Sequence, residues 1–193
     1  VRWLPMDRWD DCGWARDDDW LPEGGAAERM KTASSLAGAP PPSPAVIRRA
    51  NERWQRLAET VKGRHCWTGI DLAQTTDLTA RVHLFPPLDP EAPPEHPDGR
   101  FILLPRAYVP EGRIEVRARR DRVPYDQWRD MGALVATPGD VTDYDWLERD
   151  MIADGEVYQI VKAGIDPWNG THLALRLQAE GLDIEFMRQG YGT

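Results

Sequence analysis

Little in this chain suits a membrane or an oxidising compartment. Cysteine is scarce: Cys12 and Cys66 are the only two among 193 residues. They stand in unrelated contexts without CxxC or Cys/His spacing, so neither a disulfide framework nor a zinc site is suggested. No apolar run approaches the roughly 18 residues that a membrane span needs. The opening VRWLPMDRWDDCGW has no basic segment leading into an apolar stretch, so it does not read as a secretory signal. The expectation is a soluble protein of a reducing cytoplasm, with no membrane partner. Basic charge is also in deficit. The 24 Lys and Arg residues face 32 Asp and Glu, a net charge of −8, the wrong sign for holding a polyanion by bulk charge. Any nucleic-acid partner must then be engaged through a local basic patch or bound cations. The pattern G-x-x-x-x-G-K-[ST] is missing, so no ATP site is expected.

The remaining composition, 41% hydrophobic and 29% charged, is that of a globular chain long enough for one main domain. Three zones differ. Residues 1–44 carry Trp3, Trp9, Trp14 and Trp20, the acidic run RDDDW and the break GAPPPSP. They lack sustained periodicity and read as an irregular linker segment. Ser43-Pro44 is then a helix start, a capping residue followed by a proline at the first helical position. Over 45–63, Val46, Ile47, Ala50, Trp54, Leu57, Ala58 and Val61 recur at three-and-four spacing, which predicts an amphipathic packing helix.

From residue 64 to 193 the period changes. CWTGIDLA, LTARVHLF and RFILLPRAYV read as three strands of an antiparallel meander. In the second, alternation is expected to put Thr79, Arg81 and His83 outward and Ala80, Val82 and Leu84 inward. PPLDPEAPPEHPDG is an exposed loop. Helical patterns follow in RIEVRARRDRV, YDQWRDMG and DYDWLERDMIADGE, with ATPGD as a turn before the last of them. The strand QIVKAGID, the helix THLALRLQAEG and the strand LDIEFMRQG close the chain. Three strands, helices, then β-α-β is the element order of an RNase H-like α/β fold with a mixed sheet and flanking helices.

In that fold the first strand is central and its neighbour is the strand beginning the β-α-β unit. Both end here in Gly-Ile-Asp, at Asp71 and Asp166. Two carboxylates converging from adjacent strand ends make a half-site for a hard divalent cation, which takes oxygen ligands. Each aspartate has a plainer reading. Asp71 suits a turn, Asp77 a turn into the next strand, and Asp166, before a proline and a helix, a cap. Asp143 and Asp145 also suit a helix start, with Glu148 three beyond Asp145. Arg117, Arg119, Arg120 and Arg122 are candidates for phosphate contacts, or else a solvated helix face.

WLPMDRWDDCG, GIDLAQTTDLTA, RRDRVPYDQW, ATPGDVTDYDWL and GIDPWNGTHLALRLQAEG occur in this order over residues 1–13 and 64–193. Together they resemble the nuclease half of the tailed-phage terminase large subunit, HK97-like group. The resemblance implies endonucleolytic cleavage of concatemeric double-stranded viral DNA during genome packaging. It implies a site of two Mg²⁺ or Mn²⁺ ions at which Asp71 and Asp166 are metal-binding and catalytic. The implied partners are double-stranded DNA, the terminase small subunit and the portal protein, in the cytoplasm of the host. Two departures accompany it. Residues 14–63 form an insert where the family has a short connection, and the family's third carboxylate lies further C-terminal than the sequence reaches. Two rival readings stand beside it. One is a non-catalytic module docking the portal or the small subunit, favoured by the missing third acid and the net charge. The other is an RNase H-like nuclease of resolvase or transposase type, which would not explain ATPGDVTDYDWL or RRDRVPYDQW.

Overall fold

Proline lacks the N–H that a first helical residue would leave unpaired, and the first helix begins on one. The structure, a computed structural model, describes residues 44–73, 77–93, 96–130 and 132–187. The expectations for the tryptophan-bearing N-terminal segment, the Ser43 cap and the stretch WLPMDRWDDCG lie outside the described residues. Helix α1 (Pro44–Thr60) buries Ala58, with Val61 just beyond its end, against Cys66, Phe85 and Leu104. Trp54 fastens it further. The indole Nε1–H donates to the Pro105 carbonyl at 2.9 Å, and the Arg106 guanidinium lies 4.8 Å from the ring centroid.

The strands are β1 (His65–Asp71), β2 (Thr79–Phe85), β3 (Ile102–Pro110), β4 (Val135–Thr137), β5 (Gln159–Ile165) and β6 (Ile184–Phe186). The further helices are α2 (Ile114–Asp121), α3 (Tyr125–Asp130), α4 (Tyr144–Val157) and α5 (Pro167–Ala179). They build one six-stranded mixed sheet in the order β4-β3-β2-β1-β5-β6. The first three strands form the expected antiparallel meander. Then β5 joins β1, β6 joins β5 and β4 joins β3, all parallel. Strand β4 has no counterpart in the sequence reading, which took ATPGD as a turn throughout. Three residues are too few to display a period, and β4 owes its conformation to pairing with β3.

One face of the sheet carries the main core. Ile70, Tyr108, Ala163, Ile165 and Ile184 meet Leu147 and Met151 of α4 and Leu173, Ala174 and Leu177 of α5. A smaller cluster of Val109, Ile114, Tyr125 and Leu134 seats α2 and α3 beside the outer end of β3.

The faces of β2 are the reverse of those expected. Thr79, Arg81, His83 and Phe85 are buried, while Ala80, Val82 and Leu84 are only half-buried. Helix α4 explains the inversion, because its Asp150 and Asp154 reach the sheet and give the buried Arg81 guanidinium acceptors. Arg81 is 2% exposed. It pairs with Asp154 and donates from Nε to the Tyr108 hydroxyl at 3.0 Å, and Tyr108 donates to Asp150 at 2.6 Å. His83 Nε2 lies within hydrogen-bonding distance of both the Arg81 guanidinium and the Asp154 carboxylate, the latter at 3.0 Å, and its Nδ1 lies 2.7 Å from Thr68 Oγ1 across the β1–β2 pair.

Asp154→Ala removes the acceptor that neutralises a buried cation, and such losses cost about 3 kcal/mol or more. Urea denaturation should show a drop of that size. Burial pushes the His83 pKa below its ordinary 6.5, reinforced by Arg81 and Arg106 and opposed by Asp154. The unfolded chain thus binds the proton more readily. This contribution to stability is fully present above about pH 6.5 and is lost as the pH falls below it. The stability difference between the wild type and His83→Gln should accordingly shrink between pH 7 and 5.

Candidate nuclease site

Strand register brings the two Gly-Ile-Asp ends together. In the parallel β1–β5 pair Gly69 faces Gly164 and Ile70 faces Ile165. Asp71 and Asp166 are the next residues on each strand, one position beyond the last registered pair, Ile70 and Ile165. The two isoleucines are in the main core, so alternation turns both aspartates away from it. Asp71 is exposed and Asp166 half-buried. Beneath them the glycine pair leaves the sheet thin. A Cβ on Gly69 would meet nothing within 4 Å, and one on Gly164 would meet only the flexible Met187 side chain and a distant carbonyl.

Asp166 is also the cap of α5, and its Oδ1 accepts from the Trp168 backbone N–H at 2.8 Å. The backbone then breaks from helical geometry. Trp168 has ψ 110° and Asn169 is left-handed with φ 68°, a conformation Asn tolerates better than most residues. The break lets Gly170 press on the core, where a Cβ would stand 2.8 Å from Ile165 Cγ1. Trp168 is left 77% exposed beside the aspartate. The sequence reading began this helix at Thr171 and so missed the turn. The dipeptides Asp-Pro and Asn-Gly in DPWNG were the available signal.

The other sequence candidates fall in different places. Asp143 caps α4, its carboxylate accepting from Asp145 N–H at 2.9 Å, which matches the helix-start reading. Asp145 and Glu148 do not close a capping box; both pair with Arg176 of α5. Asp143, Asp145 and Arg176 line a concavity of about 440 Å³ with Tyr144, Asn169 and His172, and neither strand-end acid is among its lining residues. The four arginines do not share one face. Arg117 is 4% exposed and donates to the Asp77 carbonyl at 2.9 Å. Arg119 and Arg120 are exposed and engage Glu115 and Asp121 respectively, and Arg122 is exposed at the left-handed end of α2. Among the described residues no group of three or more His, Cys, Asp or Glu side chains is arranged to hold a metal ion.

A family model described as "Terminase large subunit, endonuclease domain" matches residues 50–192. The chain belongs to that family. It is 29% identical over 129 residues to the terminase large subunit of Enterobacteria phage HK97, a match covering 67% of this chain and 24% of that protein. It is 25% identical over 140 residues to protein YmfN of Escherichia coli K12, covering 69% of this chain and 29% of the relative. The matches thus span only 24% and 29% of the length of these two relatives. The crystal structure of the HK97 bacteriophage large terminase superposes with a TM-score of 0.54 at 20% identity, over 99% of this chain and 41% of that one. The terminase domain has the RNase H-like fold that its element order predicts, and no described helix is long and apolar enough to cross a membrane.

Gly170→Ala should force the Asp166 turn off Ile165. The expected loss is about 1–3 kcal/mol, read by thermal or urea denaturation, whereas Asn169→Gly should be tolerated because it keeps the left-handed conformation.

Proposed function

We propose that this domain cuts double-stranded DNA, with Asp71 and Asp166 as the carboxylates that hold divalent cations. The observation that carries the proposal is the in-register pairing that ends in two aspartates on one sheet rim. Family membership adds to it. The donor set fits a hard cation: both ligands are carboxylates, one exposed and one half-buried, and Mg²⁺ or Mn²⁺ prefers oxygen. When bound, a pair of such ions supplies an activated water and stabilises the leaving 3′ oxygen of the phosphodiester.

The chain's own residues hold and orient. Asp166 has one oxygen fixed by the Trp168 N–H, leaving the other for a cation. Asp71 ends the central strand, with its backbone paired to Ala80 of β2 and the preceding Ile70 paired to Ile165 of β5. Gly69 leaves open space below the rim for a bulky polyanion to approach, while the space at Gly164 is taken by the flexible Met187 side chain. Arg119, Arg120 and Arg122 remain proposed phosphate contacts on the exposed side of α2. Arg117, being buried, acts inside the domain instead. Packaging of viral DNA, with a small subunit and a portal as partners in a host cytoplasm, extends the same reading from the family to the protein. The irregular segment 1–44, the helical insert 45–63 and the nuclease domain 64–193 remain its proposed division.

A non-catalytic docking module is the competing reading. It is favoured by the net charge of −8 and by the lack of a third metal-ligating side chain near the pair among the described residues. Plasmid nicking separates the two. We expect slow, cation-dependent cutting by this chain, faster in Mn²⁺ than in Mg²⁺ because two carboxylates place an ion poorly and misplacement of about 1 Å costs about a hundredfold. Asp71→Asn and Asp166→Asn should each abolish it. Cutting that survives Asp71→Asn would overturn the assignment.

A further inference from the structure

Three side chains from three separate elements fasten the two described ends of the connection that follows Asp71. Ala73, two residues past the aspartate, is buried and held from both sides. Its N–H donates to Thr79 Oγ1 of β2 at 3.1 Å, and its carbonyl accepts from the Tyr144 hydroxyl of α4 at 3.0 Å. At the far end, the Asp77 carbonyl accepts from the buried Arg117 of α2. None of these contacts repeats the sheet ladder, which ends at the Asp71–Ala80 pair. We infer that Tyr144 and Arg117 are positioning residues for Asp71, acting through the backbone at Ala73 and Asp77, and this rests on the reading of Asp71 as a metal-holding carboxylate.

Several features favour this over plain packing. Asp71 is the last residue of its strand, and among the described residues nothing bonds its carboxylate. The direction of its side chain therefore follows from the backbone on either side of it. The strand fixes one side, and the Ala73 contacts fix the other. Tyr144 is suited to the task because it is the first residue of α4, immediately after the capping Asp143. Its ring is anchored by the helix start, and only its hydroxyl reaches across. Burial raises its pKa above the ordinary 10, so the hydroxyl stays protonated and donates throughout the neutral range. Arg117 is buried on a helix whose other arginines, Arg119 and Arg120, are exposed. A buried guanidinium directed at a main-chain carbonyl belongs to the interior of the domain and not to a phosphate-binding surface. It ties Asp77 to α2, the helix that also carries Arg119 and Arg120.

The test uses the whole 193-residue chain with Tyr144→Phe and Arg117→Met, and Tyr158→Phe as a control at the opposite end of β5. Three quantities are measured: amide hydrogen exchange at Leu72 and Ala73, Mn²⁺ affinity by calorimetry, and the kcat and KM of plasmid nicking. Tyr144→Phe removes only a hydroxyl. It should speed exchange at Ala73, weaken Mn²⁺ binding and lower kcat about tenfold or more, with KM for DNA little changed. Arg117→Met should act in the same direction, and Tyr158→Phe should match the wild type. Wild-type metal affinity and kcat in both Tyr144→Phe and Arg117→Met would overturn the positioning role while leaving the site reading intact. If the wild-type chain neither binds Mn²⁺ nor nicks DNA, the site reading itself fails and this inference fails with it. Faster exchange at Ala73 would then show only that the hydroxyl braces the connection.

Discussion

Everything proposed for the rim depends on one extra residue in β5. At the start of the β1–β5 pair His65 faces Gln159 and Cys66 faces Ile160, but Trp67 then faces Lys162, and the new register runs on to Ile70 and Ile165. Strand β5 has contributed one residue more than β1, and Val161, half-exposed, is left over. Without that irregularity Asp71 would lie beside Ile165 and Asp166 would fall beyond the strand. A one-residue slip also exchanges the faces of a strand, so it would direct the two acids to opposite sides of the sheet. The irregularity sits at the end of the β1–β5 pair far from the acids. Past it the pairing is regular up to the rim.

The same register explains why glycine precedes isoleucine in both strand ends. The isoleucines pack into the core shared with α4 and α5, and the glycines face the other way. At Gly164 the space is taken by Met187, which follows β6 and leans back over the sheet. At Gly69 the space is open. A larger residue at either position would stand as a fixed wall two residues below the carboxylates. The tripeptide thus combines a core anchor, a position without a side chain and a proposed ligand, in an order that a strand displays on two faces.

Much of this was legible in the sequence, because the relevant signals are local. The repeated Gly-Ile-Asp, the three alternating runs and the helical spacing of α4 each survive without knowledge of their neighbours. What was misread depended on partners distant in sequence. Alternation in TARVHLF shows that β2 has two faces, but not which is buried. Hydrophobicity gave the wrong answer, because Arg81 and His83 become tolerable inside only once Asp150 and Asp154 arrive from α4. Arg117 was misread for a similar reason. Its neighbours in sequence suggest a basic surface, and only the fold brings the Asp77 carbonyl within reach. The three-residue β4 has no period to read and exists through β3.

Asp166 caps α5, and under the proposed function it also holds a cation, two duties that the sequence presented as alternatives. As the cap of α5 it places a negative charge at a helix N-terminus, which the exposed N–H groups there stabilise. As a cation ligand it would give up part of that charge. The two are compatible because a carboxylate has two oxygens and the cap uses one. The cap therefore does more than start a helix, since the Trp168 N–H fixes the orientation of the carboxylate. Asp71 has no such cap. Its orientation must come from the strand on one side and from the fastened Ala73 on the other. One acid is thus set by its own helix and the other by its neighbours' side chains, so the two halves of the rim differ in what can disturb them. Changes in α5 act first on Asp166, and changes in α2 or at the start of α4 act first on Asp71.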